Sequence, residues 1–139
     1  MTVDEIKNGI VIDHIRAGQG MDIYNFLGLD KLDCNIAIIK NAYSKNMGRK
    51  DIIKVDTVEN VDLSVLGYID PDLTVNLIEN GKIVKKYHPE LPSEVVDVVK
   101  CKNPRCITSV EQELSHVFRL TDKQHKVYRC LYCETQAKQ

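Results

Sequence analysis

The chain has 139 residues, of which 43% are hydrophobic and 28% are charged, proportions typical of a folded globular protein. Its net charge of −1 argues against general binding of nucleic acid through a basic surface. No apolar run approaches the roughly 20 residues of a membrane helix, and the N-terminal segment lacks the apolar core of a secretory signal. We therefore expect a cytoplasmic protein with no membrane association.

Charge and proline positions divide the chain into two parts. Residues 1–94 hold 11 Lys or Arg against 15 Asp or Glu, a charge of −4, whereas the remaining residues hold 8 against 5, a charge of +3. Pro89 and Pro92 lie near this transition, and each restricts the backbone of the residue before it. We expect two small domains, at residues 1–92 and 93–139.

The first part alternates between strand-like and helix-like segments. Short β-rich apolar runs predict strands, and apolar residues at helical spacing predict helices. Asn80–Gly81 is a strong hairpin signal, and Asn60 or Asp62 is a candidate helix cap. The predicted elements are a strand at 9–16, a helix at 20–30, strands at 34–45 and 49–57, a helix at 60–69, and strands at 73–79 and 82–88. This order is the split βαβ arrangement of a ferredoxin-like α+β domain, an antiparallel sheet with two helices.

Polar side chains occur within the predicted strands, where apolar residues would be easier to bury. Asp13 and His14 follow an apolar run, and Asn76 lies between Val75 and Leu77. Burying such groups without partners costs roughly 1–3 kcal/mol each. They either bond to the backbone and cap strand ends, or they face a ligand.

Lysines are grouped on the same strands. Lys50 and Lys54 are four residues apart on one strand and should share a face, while Lys82, Lys85 and Lys86 follow the predicted hairpin turn. Such clusters can hold a multiply charged phosphate or protect edge strands from pairing. The absence of a Gly-rich phosphate loop argues against a nucleotidase or a dehydrogenase.

Four cysteines in the second part form two close pairs. Cys101 and Cys106 are separated by 4 residues, and Cys130 and Cys133 by 2 residues. Two such pairs are typical of a structural zinc site with four cysteine ligands. About 40 residues rarely fold unaided, and a metal would supply the missing folding free energy of a small all-β domain. Two disulfides or an iron site are the alternatives, whereas Cys34, in an apolar strand, is read as a packing residue.

The motifs together resemble a known family. The segments at 10–15, 47–54 and 74–76, followed by the Cys-x4-Cys and Cys-x2-Cys pairs, are similar to the regulatory chain of aspartate carbamoyltransferase. The resemblance spans nearly the whole chain, in the same order. It implies a non-catalytic, allosteric subunit in pyrimidine biosynthesis, whose N-terminal domain binds CTP and UTP as inhibitors and ATP as an activator.

The resemblance also implies partners. In that family the zinc domain docks on the catalytic chain, and regulatory chains form homodimers through their N-terminal domains. Three such dimers bridge two catalytic trimers in the holoenzyme. No binding of nucleic acid is expected.

Residue by residue, the resemblance implies one nucleotide pocket. The positions that match the base and ribose contacts are Ile6, Val11, Asp13 and Lys54, and Ile83 matches a small apolar residue that lies against the nucleotide. The positions that match phosphate or other nucleotide contacts are His14, Lys50, Asn76 and Lys86. Asp4 aligns with an acidic residue of the N-terminal arm.

Two other functions fit parts of the sequence. One is a zinc-ribbon protein that binds nucleic acid and carries a ligand-sensing domain, for which the charge of the second part is the support. The other is a small enzyme with Asp13 and His14 as acid and base, although neighbouring residues of a strand point to opposite faces.

Overall fold

The computed structural model describes residues 6–59 and 61–137, so Asp4 and the candidate cap Asn60 lie outside the described residues. The chain divides into two compact units, the first ending at Glu90 and the second beginning at Leu91. Among the described residues no helix has the length and apolar composition needed to cross a membrane.

The first unit is an antiparallel sheet of five strands with two helices. Its elements are β1 (Gly9–Arg16), α1 (Gly20–Phe26), β2 (Ile36–Ser44), β3 (Gly48–Val55), α2 (Leu66–Ile69), β4 (Thr74–Glu79) and β5 (Lys82–Tyr87). The strand order is β2-β3-β1-β4-β5, and every neighbouring pair is antiparallel. The ferredoxin-like prediction is therefore confirmed, with β5 added at one edge through the predicted hairpin.

Strand alternation places the hydrophobic core on one face of this sheet. Ile12 of β1, Ile53 of β3 and Val75 of β4 are completely buried and belong to one cluster. Ile23 of α1 and Leu66 of α2 join the same cluster, so both helices cover that face. The opposite face carries the alternate residues, as the period of two requires, and no helix among the first unit's described residues packs there.

Both helices are shorter than predicted. After α1, Gly28 has a φ of 64°, which ends the helix before a single 3₁₀ turn at Leu29–Lys31. The prediction of a helix across residues 60–69 is wrong in extent, because α2 has only four residues. Asp62 instead accepts hydrogen bonds from the backbone and hydroxyl of Ser64, which favours a local turn.

The hairpin between β4 and β5 follows the sequence signal. Asn80 and Gly81 both have positive φ values, 52° and 78°, as a type I′ turn requires. The Gly81 amide donates to the Lys7 carbonyl, so the turn is also attached to the segment that precedes β1.

A β-bulge interrupts β1 and changes which face its last residues occupy. Ile12 lies opposite Ile53, but Ile15 lies opposite Asp51, so β1 has one extra residue over this interval. His14, with a φ of 57°, is in the bulge. Ile15 is consequently buried on the same face as Ile12.

A buried carboxylate supports this bulged region. Asp51 of β3 is fully buried and accepts three backbone hydrogen bonds, from Gly18, Gly20 and Asn41, at 2.8–3.0 Å. It thereby links the loop before α1 to β2. A side chain on Gly20 would come within 2.9 Å of the carboxylate, so this position requires glycine.

The second unit is a small sheet with one helical turn. Its elements are β6 (Glu94–Val96), α3 (Ile107–Val110), β7 (Val117–Asp122) and β8 (Val127–Cys130), with the antiparallel order β6-β7-β8. Val95, Phe118 and Tyr128 are its main buried apolar side chains, and the Tyr128 hydroxyl donates to the Pro92 carbonyl. This confirms the predicted small all-β domain and shows how little apolar surface it buries.

Candidate functional site

Four of the predicted nucleotide residues form a row across the helix-free face of the first sheet. Val11 lies directly opposite Lys54 on one side and Asn76 on the other, and Asn76 lies opposite Lys86. Side chains paired in this way project from the same face. We call Lys54, Val11, Asn76 and Lys86 the transverse row.

Asp13 and Lys50 extend this face along β1 and β3. The Lys50 ammonium lies 2.9 Å from the Asp13 carboxylate. Burial raises the Asp13 pKa, but hydrogen bonds from Lys50 and the His14 backbone outweigh it and hold the pKa below its ordinary value. Lys50 and Lys54 share this face as predicted, since Asp51 between them is buried on the other.

One end of the face is apolar. Ile78 of β4 lies opposite both Gly9 and Ile83, which places Ile83 level with the start of β1. An irregularity between Leu77 and Ile78 allows Ile83 to share the face of Lys86 despite their odd spacing. Ile6 also reaches this end, because a Cβ on Gly9 would lie 2.7 Å from its side chain.

The other end opens into a polar cleft of about 620 Å³. His14, Thr74 and Lys86 are among its lining residues, and the Nδ1 atom of His14 lies 3.1 Å from the Thr74 hydroxyl. The bulge, which strand alternation did not predict, holds His14 at this position. The face therefore changes from apolar to polar and basic along its length.

Asn76, at the centre of the row, has an unused acceptor. Its side-chain amide donates to the Val11 carbonyl at 3.3 Å. Its Oδ1 atom is buried and has no hydrogen-bond partner among the described residues. A buried polar atom without a partner is costly, and a ligand that donates a hydrogen bond would remove that cost.

The lysines that follow the hairpin turn do not all lie on the same face of the sheet. Lys86 belongs to the transverse row, whereas Lys85 lies opposite Leu77 on the other face, with its ammonium 4.8 Å from the centre of the Tyr87 ring. Lys82 lies opposite Glu79, next to the turn. The prediction of one compact cluster after the turn is therefore wrong, and only Lys86 reaches the cleft.

The four late cysteines come together in the second unit. Their sulfur atoms all lie within 4.8 Å of one another, with 3.5 Å between Cys101 and Cys133 and 3.7 Å between Cys106 and Cys130. A tetrahedral ion with bonds of about 2.3 Å to sulfur has sulfur–sulfur edges of about 3.8 Å. Disulfide sulfurs would be about 2.05 Å apart, and all the cysteines are free. The geometry fits a metal site with four thiolate ligands.

Polar groups around the cysteines were not predicted from the sequence. The Cys101 amide donates to His116 Nδ1, so this histidine supports one of the four clustered cysteines. Hydroxyl oxygens of Thr108 and Thr135 lie 3.1 and 3.2 Å from the sulfurs of Cys106 and Cys133. Such outer contacts orient metal ligands. A threonine two positions after a cysteine is the only sequence signal for them.

The metal-free thiols have unequal proton affinities. Burial raises the pKa of Cys101 to about 12 and also raises that of Cys130. At Cys133 burial acts in the same direction, but hydrogen bonds from Thr135 and Asn103 outweigh it and lower the pKa to about 6. A bound cation would stabilise all the thiolates and displace the remaining protons.

Fold and site together define a class: a two-domain protein that joins a ferredoxin-like sheet to a small domain with a four-cysteine cluster. Residues 1–90 match the family described as aspartate carbamoyltransferase regulatory chain, allosteric domain, and residues 93–139 match its metal-binding domain. The chain belongs to the aspartate carbamoyltransferase regulatory chain family.

Individual relatives agree across nearly their full lengths. The chain is 52% identical over 134 residues to the regulatory chain of Clostridium acetobutylicum and 49% identical to that of Clostridium botulinum, covering 96% of this chain and 92% of each relative. It is 42% identical over 138 residues to the regulatory chain of Bifidobacterium longum, covering 99% of both. The relatives are named as regulatory chains, which confirms the prediction of a non-catalytic subunit that partners the catalytic chain of this enzyme.

Proposed function

We propose that this regulatory chain binds nucleoside triphosphates on the helix-free face of its N-terminal sheet and so controls the catalytic chains allosterically. The observation that carries the proposal is the transverse row, because it brings residues from position 11 to position 86, on four strands, onto one surface. The effectors are CTP, UTP and ATP, and the pathway is pyrimidine biosynthesis in the cytoplasm, as the resemblance implies.

The polarity of the face supports an orientation for the nucleotide. The base lies at the apolar end against Ile6, Val11 and Ile83. The ribose lies beside Asp13, a carboxylate that can accept hydrogen bonds from its hydroxyl groups. The phosphates lie at the basic end near His14 and Lys86, where charge-assisted hydrogen bonds are strongest.

Three further residues complete the proposed pocket. Lys54 contacts the base and ribose from the end of the row. The unpartnered Oδ1 of Asn76 accepts a hydrogen bond from the ligand or from water bound with it. Lys50 holds Asp13 in place through their ion pair and adds positive charge to the face.

We also propose that the four cysteines bind one structural zinc ion. Four thiolates in a tetrahedral arrangement suit zinc and leave no open position for a substrate. The ion holds the two cysteine pairs together and stabilises a domain with a small apolar core. Residues 93–139 then dock on the catalytic chain, whereas residues 1–92 bind the effector.

Regulation follows from thermodynamic linkage. An effector that binds two quaternary states with different affinities shifts their equilibrium, with coupling free energies of about 1–3 kcal/mol. In the proposed holoenzyme, regulatory chains pair through their N-terminal domains, and three dimers bridge two catalytic trimers. The mass of the complex reconstituted with catalytic trimers tests this stoichiometry.

Adjacent lysines on opposite faces provide a matched test of the nucleotide site. Lys86→Ala should weaken CTP binding about tenfold, because a charge-assisted contact to phosphate is lost. Lys85→Ala, which removes the same charge from the other face, should leave binding close to wild type. Binding to the full chain is measured by calorimetry, and aspartate saturation of the reconstituted holoenzyme is measured with CTP, UTP and ATP. Equal effects of the two variants, or CTP binding without any change in aspartate saturation, would contradict the proposal.

The role of zinc is tested by assembly. Metal analysis of the purified chain should give one zinc per chain, and chelation should abolish assembly with catalytic trimers because the docking domain unfolds. Assembly that persists after complete chelation would refute the structural role of the ion.

A further inference from the structure

We propose that Arg16 is an additional phosphate-binding residue that makes affinity depend on the terminal phosphates of a nucleotide. Neither the sequence motifs nor the resemblance points to this residue. The inference rests on the proposed nucleotide site and extends it beyond the residues assigned above.

The bulge in β1 determines where Arg16 lies. In a regular strand, Arg16 would lie on the same face as Ile12 and His14. That face is the one that Ile12 buries in the core. The extra residue between Ile12 and Ile15 reverses this alternation, so Ile15 returns to the core and Arg16 moves to the face of Asp13. Bulges of this kind commonly redirect side chains beside functional sites.

The surroundings of Arg16 favour an anion. Arg16 lies directly opposite Lys50, and like charges opposite one another are destabilising. Lys50 is paired with the Asp13 carboxylate, whereas no carboxylate lies within ion-pair distance of Arg16 among the described residues. An exposed guanidinium with five free donors is suited to bidentate binding of phosphate.

Arg16 lines the same cleft as the two proposed phosphate ligands, His14 and Lys86. His88 also lines this cleft, and its Nδ1 donates to the Leu73 carbonyl, which leaves Nε2 available to a ligand. Asp70 and Asp72 contribute negative charge to the lining. They offset the charges of Arg16 and Lys86, so removing Arg16 would leave the cleft poorly suited to a polyanion.

The position of Arg16 points to the terminal phosphates. It is five residues beyond Val11 on β1, roughly 16 Å at the usual rise of a strand. With the base at the apolar end, the phosphate farthest from the base is the group that reaches this distance. Arg16 should therefore contribute to the binding of nucleoside triphosphates and contribute little to that of nucleosides.

A phosphate series measures this dependence. Affinities of cytidine, CMP, CDP and CTP for the zinc-loaded full chain are compared by calorimetry or by competition, in wild type and in Arg16→Ala. The variant should bind CTP roughly tenfold more weakly and cytidine with unchanged affinity. Arg16→Lys, which keeps the charge but loses the planar fork, should fall between them.

Arg49→Ala is the matched control, because Arg49 is an exposed arginine of β3 that does not line the cleft. It should bind all four ligands as wild type does. Equal CTP affinity in Arg16→Ala and wild type would overturn the assignment of Arg16 and leave the proposed function intact. Equal loss for cytidine and CTP would show that Arg16 acts on the fold and would also overturn it. A wild-type chain that binds none of the ligands would refute both proposals.

Discussion

Replacing the buried carboxylate of Asp51 should destabilise the N-terminal domain strongly. Asp51 is fully buried, and its two oxygens accept from Gly18 and Gly20 on one side and from Asn41 on the other. Asp51→Asn preserves the volume of the side chain but replaces one acceptor oxygen with a donor. In either orientation, at least one backbone N–H then faces an amide NH₂ group.

The size of the effect follows from the hydrogen bonds affected. If the amide oxygen faces Gly18 and Gly20, the Asn41 N–H loses its charged acceptor, which costs about 1.5–3 kcal/mol. The two remaining bonds lose their charge assistance, which costs about 1 kcal/mol each. The expected decrease in the free energy of unfolding is therefore about 3.5–5 kcal/mol.

Native-state hydrogen exchange of the amides in β1 and β3 is a suitable assay, because it reports this domain separately from the four-cysteine domain. Asp56→Asn, an exposed carboxylate one residue beyond β3, is the control and should change stability by less than about 0.5 kcal/mol. If Asp51→Asn also changed the free energy of unfolding by less than about 0.5 kcal/mol, the stabilising role of the buried carboxylate would be refuted.

Three other predictions concern the four-cysteine site, the ion pair between Asp13 and Lys50, and the first strand. Affinity for the proposed zinc ion should fall steeply as pH falls, because the Cys101 thiol, with a pKa of about 12, must lose its proton to bind the ion. Calorimetry of zinc binding in buffers of different ionisation enthalpy should detect proton release at pH 7, and its absence would contradict this reasoning. Lys50→Met should raise the pKa of Asp13, as measured by NMR titration. Because the pKa is depressed in the folded chain, the stabilisation from this carboxylate is present at neutral pH and is lost as pH falls through its folded value; an unchanged pKa would exclude Lys50 as a cause. Gly9→Ala should destabilise β1 by about 1–3 kcal/mol, because the new methyl group would overlap the Val55 carbonyl oxygen. A melting temperature equal to that of wild type would contradict this, because it would mean that β1 and β3 move apart to make room without loss of stability.

Local sequence signals were sufficient for much of the fold. The hairpin was predictable because Asn and Gly tolerate the positive φ values of a type I′ turn. The strands followed from alternation and β-branched residues, since the period of two is imposed by the backbone itself. The cysteine cluster was predictable because each close pair places two thiolates near one point. The length of α2 was not predictable, because the turn at Asp62 competes with the helix over the same residues.

The sequence by itself determined the strands, the hairpin and the two cysteine pairs of the candidate metal site, all of which depend on residues close together in the chain. Only the tertiary structure decided which polar residues share a surface. The transverse row depends on register between strands up to 75 residues apart, from Val11 to Lys86, and the position of Arg16 depends on one extra residue in β1. A shift of one residue moves a side chain to the other face of a sheet. That register is set by burial of the core and by Asp51, both of which involve the whole domain.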